Sequence, residues 1–256
     1  MKKNKILSDS DEANKSGFEL PFIKYFALSV GFFFVTIVSA GLLYPLSYYF
    51  MTKTEINNIR IDGKKLVFDG KISSTFLIYY TGLVAIAAIV VALNLIIEIL
   101  PLGFPTYSIN YVVSGIITAI STFFIGTRLI RWKKKNTHYD GETKGNSGLK
   151  SNIIRCALKS AILSLLGLIT VGIAYPISYS VKQKYYTDAS FLDGDRLVMK
   201  GNVLRIYGKW ILSFLIAIIT FGIALPLPLF ILKRWETENT HIRENCARFR
   251  QEAERP

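Results

Sequence analysis

The chain has 256 residues, 51% of them hydrophobic and 19% charged, with 31 Lys and Arg against 18 Asp and Glu and a net charge of +13. This balance excludes an intrinsically disordered chain, and two distant cysteines, Cys156 and Cys246, exclude a disulfide framework or a cysteine metal cluster. An ordinary soluble domain is disfavoured too, because the apolar residues are gathered into long stretches without a charge.

Residues 1–21 read as a polar tail of mixed charge with no signal-peptide cleavage pattern, so the first apolar run is expected to stay as a membrane anchor. Five uncharged runs follow: Tyr25–Thr52, Ile72–Ile97, Ile99–Thr127, Ser160–Val181 and Trp210–Leu232. About 20 apolar helical residues cross a hydrocarbon core, where a backbone must satisfy its own hydrogen bonds. The expectation is an all-α integral membrane protein with about five transmembrane helices, over residues 25–51, 75–98, 111–130, 158–181 and 210–232. The third run spends its start on Pro101, Gly103 and Pro105. Two short alternating stretches flank Asp62-Gly63 and Asp193-Gly194. Asp-Gly suits the type I′ turn, which needs positive φ twice, so small extramembrane β-hairpins are predicted at 56–69 and 187–200.

The chain is a duplication. Gly41–Gly70 aligns without gaps on Gly172–Gly201 at an offset of 131, with identities at Tyr44/Tyr175, Pro45/Pro176, Ser47/Ser178, Tyr48/Tyr179, Lys53/Lys184, Asp62/Asp193 and Leu66/Leu197. At an offset of 103, Arg131-Trp132 and Asn136-Thr137-His138 recur as Arg234-Trp235 and Asn239-Thr240-His241. Membrane repeats are therefore placed at 22–145 and 146–244, with a basic tail over 245–256. Three half-units carry a Ser/Thr-x-Gly-x-x-x-Pro stretch, at Ser39–Pro45, Thr170–Pro176 and Thr220–Pro226. Gly and Pro there are expected to stop a membrane helix at the interface. Lys53, Arg131, Trp132, Lys184, Arg234 and Trp235 are then candidate interfacial anchors, because Trp suits the headgroup zone and long cations reach phosphates.

The runs TVGIAYP (Thr170–Pro176) and TFGIALP (Thr220–Pro226), with Arg234-Trp235 and Asn239-Thr240, resemble the YjgN-like bacterial inner-membrane proteins, a domain family of unknown function, over residues 30–71 and 115–242. Leu46, Ile177 and Leu227 depart from that pattern, which has an aromatic residue after the Pro. The resemblance implies a multipass protein of a bacterial inner membrane and brings no reaction, ligand or catalytic residue with it.

Basic residues set the expected orientation. Five crossings with the N-terminus outside leave 20 Lys and Arg inside and 11 outside. A single net crossing by residues 72–130, with a re-entrant part at Pro101–Pro105, also leaves 20 inside but moves the N-terminus in and both hairpins out. Both versions put the Arg131 segment and the C-terminus in the cytoplasm.

Groups for chemistry are few. His138 and His241 are the only histidines, and a shared metal would need further ligands such as Asp140 or Glu238; otherwise they are interfacial histidines. Thr170, Thr220, Asn94 and Glu98 are candidates for a polar path through the membrane. No P-loop, Gly-x-Ser-x-Gly, His-Glu-x-x-His or Cys-x-x-Cys is present. The expected function is a non-enzymatic membrane module, without cofactor or metal, that engages lipid or a partner protein, a second copy included. Nucleic acid is not expected, since the basic residues sit where helix ends require them. The alternative is a small-solute transporter or channel.

Overall fold

The computed structural model of the chain describes residues 15–99, 106–141, 145–170 and 172–243. They form eight helices and eight short strands. The first half runs β1 (Gly17–Phe18), α1 (Phe22–Val38), α2 (Tyr44–Ile56), β2 (Ile59–Ile61), β3 (Lys64–Phe68), α3 (Ile72–Ile99), α4 (Thr106–Lys135) and β4 (Thr137–Tyr139). The second half repeats the order with β5 (Gly148–Leu149), α5 (Ile153–Ile169), α6 (Tyr175–Asp188), β6 (Ser190–Leu192), β7 (Asp195–Met199), α7 (Leu204–Ile219), α8 (Pro226–Glu238) and β8 (Thr240–Ile242). Strand β1 lies inside the stretch read as a polar tail.

The helices are paired, and this corrects the five-helix expectation. The runs read as single helices over 25–51, 158–181 and 210–232 are each two helices folded back at a tight turn. Phe32 of α1 and Phe50 of α2 stack with ring centroids 6.3 Å apart. A straight helix would hold residues 18 positions apart at about 27 Å. Ser160 of α5 meets Tyr186 of α6 in the same way, with their hydroxyls 2.7 Å apart. The long helices α3 and α4 also lie side by side: a Cβ on Gly82 would meet Ile125 at 2.5 Å. The predicted helices at 75–98 and 111–130 are thus present, longer than read, and form one hairpin. The Pro101–Pro105 connection, residues 1–14 and the 245–256 tail lie outside the described residues.

The strands correct the picture of isolated β-hairpins. Asp62 and Gly63 have φ of 47° and 81°, and Asp193 and Gly194 have 48° and 95°, as type I′ turns require. Each predicted hairpin is then flanked by two more strands, giving antiparallel sheets of order β1-β2-β3-β4 and β5-β6-β7-β8. The register repeats as well: Gly17↔Arg60, Arg60↔Lys65 and Val67↔His138 become Gly148↔Phe191, Phe191↔Arg196 and Val198↔His241. One face of each strand is buried, in step with the period-2 alternation. Ile59, Leu66, Phe68 and Tyr139 of the first sheet share one core with Leu192, Leu197 and Ile242 of the second.

The pairings, with the core the two sheets share, place all eight strands on the same side of the helices. Pairing of β1 with β2 rules out a crossing between the N-terminal segment and the first hairpin, against the five-crossing arrangement. Pairing of β3 with β4 rules out hairpins opposite the Arg131 segment, against the alternative. Each helical hairpin leaves the strand layer and returns to it.

Candidate functional site

The Ser/Thr-x-Gly-x-x-x-Pro stretches are the tips of the three short hairpins. Thr170 Oγ1 donates to Leu166 O (2.9 Å) and accepts the Ala174 N–H (3.0 Å). Thr220 Oγ1 donates to Ile216 O (2.9 Å) and accepts the Ala224 N–H (3.1 Å). Ser39 does the same with Thr36 O (3.2 Å) and the Leu43 N–H (3.1 Å). Gly41, Gly172 and Gly222, at φ of 84°, 87° and 87°, return their N–H to Thr36 O, Gly167 O and Ala217 O at 2.7–2.8 Å. This is the Schellman closure of a helix end, and glycine adopts it without steric cost. Tip carbonyls are met from neighbouring helices: Tyr80 donates to Leu42 O and Tyr207 to Ile173 O, both at 2.7 Å. The prolines occupy the first turn of the returning helix, where a missing N–H is harmless.

While the described N–H groups of each tip are bonded within the turn, the tip surface is apolar and bare. Val38 is 85% exposed, Ile169 74%, Ile219 75% and Phe221 98%. Phe221 also holds a left-handed φ of 51°, an uncommon conformation for a bulky residue. The hydroxyls of Thr170 and Thr220, read as a possible polar path, are committed to these turns. Asn94 Oδ1 accepts from Ser114 Oγ across α3 and α4 at 3.5 Å. The side chain of Glu98 lies outside the described residues.

The two tryptophans read as anchors pack against the strand layer and the helix feet. Trp132 meets Phe68 edge-on at 5.1 Å, and Trp235 is 5% exposed against Met199 and Val203. Each ring lies over an equivalent glycine: a Cβ on Gly70 would come within 2.6 Å of Trp132 Cζ2, and one on Gly201 within 2.7 Å of Trp235 Cζ2. The pairs lock each long β-hairpin to the foot of α4 or α8. Gly201→Ala is therefore expected to destabilise the fold by about 2 kcal/mol through overpacking, read as a lower thermal midpoint, whereas Gly208→Ala, in open space inside α7, should keep or raise it. Arg131 donates from Nη2 to Ser151 O, and Arg234 pairs with Glu238 at 2.8 Å. Lys53 and Lys184 are exposed.

Each histidine is held by the turn aspartate of the other sheet. Asp62, in the turn of the first sheet, accepts from His241 Nδ1 (2.8 Å) and the Ile242 N–H (2.8 Å) of the second sheet. Asp193, in the turn of the second, accepts from His138 Nδ1 (3.0 Å) and the Tyr139 N–H (2.7 Å) of the first. Ser16 Oγ accepts the Asp62 N–H, and Ser147 Oγ accepts that of Asp193, both at 2.9 Å. A carboxylate only accepts, so the proton sits on each imidazole Nδ1. Burial alone would raise both carboxyls. The hydrogen bonds from histidine, backbone and serine outweigh it and hold both below the usual carboxylate value. Among the described residues no group of three or more His, Cys, Asp or Glu could hold a metal. Sequence reading paired neither aspartate. Ser16-Gly17-Phe18 against Ser147-Gly148-Leu149, again at an offset of 131, was the available signal.

Between the helix feet and the strand layer lies a cavity of about 130 Å³, lined in part by Tyr48, Lys133, Lys134, Gln183, Lys233 and Glu236. Glu236 accepts from Tyr179 (2.7 Å) and Lys233 (3.2 Å), while Glu55 lies 3.5 Å from Lys133 and 3.9 Å from Lys233. Lys134 makes no hydrogen bond or ion pair among the described residues. Burial pushes its ammonium down to about 8; Glu236 opposes this, and Lys133 and Lys233 add to it. None of these charged groups was singled out from the sequence as a site. No family model, curated protein or solved structure matches the chain, so the YjgN-like resemblance rests on its motifs alone.

Proposed function

We propose that the chain is a bacterial inner-membrane protein that seats its helical hairpins in the bilayer from one face, with its strand layer in the cytoplasm, and acts as a non-enzymatic module engaging lipid. The observation that carries this is the construction of the tips: apolar and bare outside, with the turn hydrogen bonds closed within. A turn in hydrocarbon needs that combination, whereas a turn in water needs neither part of it.

Other features agree. The most apolar window of Ile72–Ile97 has a mean hydropathy of 2.4 and is only 6% buried, where a soluble core helix would be covered. It is the one helix long and apolar enough to cross a membrane among the described residues. At 1.5 Å per residue, the 28 residues of α3 reach about 42 Å, beyond the ~30 Å of a hydrocarbon core. The 17 residues of α1 and 13 of α2 reach only about 25 Å and 20 Å. In this reading the α3–α4 hairpin spans the bilayer and the three short hairpins enter from one leaflet. No Lys or Arg lies between Lys71 and Arg128, so the far side of the long hairpin carries no basic residue, and the positive-inside rule puts the strand layer in the cytoplasm. A transport role has lost the threonine path that suggested it.

The test is sidedness. In a Cys156→Ser, Cys246→Ser background, Lys65→Cys, Asp140→Cys and Arg196→Cys are expected to react with an impermeant maleimide in inside-out vesicles only. Reaction of the Lys65 or Arg196 variant from the side opposite to the Asp140 variant would sink the one-face arrangement.

A further inference from the structure

The cavity between helix feet and strand layer sits where the two repeats stop resembling each other. The turns, the tip hydroxyls, the clasping aspartates and Tyr48/Tyr179 are kept at equivalent positions. Around the cavity the equivalents are unlike: Lys133 matches Glu236, Ile130 matches Lys233, Lys134 matches Thr237, and Glu55 matches Tyr186. The result is an unsymmetrical polar cluster inside a symmetrical frame.

Its charges do not balance. The lining holds three ammonium groups and one carboxylate, and Glu55 behind it supplies a second carboxylate, which leaves one cation in excess. The excess falls on Lys134, since Lys233 reaches two carboxylates and Lys133 one. An ammonium carries three donors, and a partly buried charge with no partner is costly. Gln183 adds an amide without a hydrogen-bond partner among the described residues, and Tyr48 adds a phenol that also bonds with Thr52. The space suffices for several waters or for one tetrahedral oxyanion.

We propose that this cavity binds a singly charged phosphate group, with Lys134 as the principal ligand and Lys133, Gln183 and Tyr48 as further donors. A phosphodiester neutralises the surplus cation, and lysine recognises phosphate as a point charge without the fork that a planar carboxylate pair favours. Either a lipid headgroup or free phosphate could supply it. The cavity's composition does not depend on membrane placement; only the lipid source does.

The experiment uses the full chain in a nonionic detergent at fixed ionic strength. Inorganic phosphate and dihexanoyl phosphatidylglycerol are titrated separately by calorimetry, with chloride and dihexanoylglycerol as phosphate-free controls. One phosphate source is expected to bind, about ten-fold or more weaker in Lys134→Gln and in Lys134→Met, while Lys134→Arg keeps most of the affinity. Both neutral variants lose an unpartnered cation, so their thermal midpoints without ligand should not fall. Binding of the lipid alone names a headgroup as the source, and binding of inorganic phosphate names a free anion. Binding by neither, or equal binding by the wild type and Lys134→Met, overturns the site. A failed sidedness test with intact phosphate binding would remove the membrane reading and leave this one standing.

Discussion

Asp62→Ala and Asp193→Ala are each expected to lower the unfolding free energy by about 3 kcal/mol, among the largest losses available to a single substitution here. Each carboxylate is nearly buried, with 6% and 3% of the side chain exposed, and each accepts from an imidazole, a backbone N–H and a serine. Removing the acceptor leaves the buried N–H of Ile242 or Tyr139 without its partner, which costs more than the bond contributes on balance. Denaturant unfolding in nonionic micelles measures the loss. A change below about 1 kcal/mol in both variants would show that the contacts between sheets are incidental. The same carboxyls predict an acid limb. Their folded values lie below the ordinary 3.8, so their contribution is full above that value and drains away as pH falls through the folded one. The wild type should therefore lose stability as the pH drops below about 4, and the doubly substituted Asp62→Asn, Asp193→Asn chain should lose less over that window.

If the proposed membrane seating holds, Phe221→Asp is expected to expel the α7–α8 tip from the bilayer without unfolding the protein. Aspartate tolerates the left-handed backbone at this position better than phenylalanine, so the turn itself is not harmed. Its cost lies in hydrocarbon, where a carboxylate near the centre is unfavourable by about 3 kcal/mol. A fluorophore on an Ile223→Cys variant, in the cysteine-free background, should be quenched by bromine-bearing acyl chains when Phe221 is present and escape quenching in Phe221→Asp. Unchanged quenching would mean that the tip does not rest in lipid. Phe221→Gly separates the two contributions: it should firm the turn by about 1 kcal/mol while weakening the hold on lipid.

The duplication and both Asp-Gly hairpins were legible because their signals are local. A type I′ turn has a two-residue signature, and a gapless offset survives divergence. The helical hairpins were not legible from run length. Ala40, Leu42 and Leu43 are as apolar as the helices they join, so a hydropathy run cannot tell one long helix from two short ones folded at Gly41. The tip signal was seen in Ser39, Thr170 and Thr220 but read as a stop, because Schellman closure looks the same whether the chain leaves the membrane or turns back. Strands β1 and β5 have two residues each and carry no periodicity. The contacts of Asp62 with His241 and Ile242 span 179 and 180 positions, beyond any local pattern. The cavity draws its charges from α2, α4 and α8, so no single stretch displays it.

The reciprocal clasp carries a consequence for ancestry. A lone repeat would present an aspartate with no imidazole to receive and a histidine strand with no acceptor, whereas two identical copies would satisfy each other about a twofold axis. That is the isologous geometry of a C2 homodimer. Joining the copies into one polypeptide freed axis-related positions from having to match. Position 133 can therefore hold a lysine where its equivalent, 236, holds a glutamate, a difference no pair of identical subunits could encode.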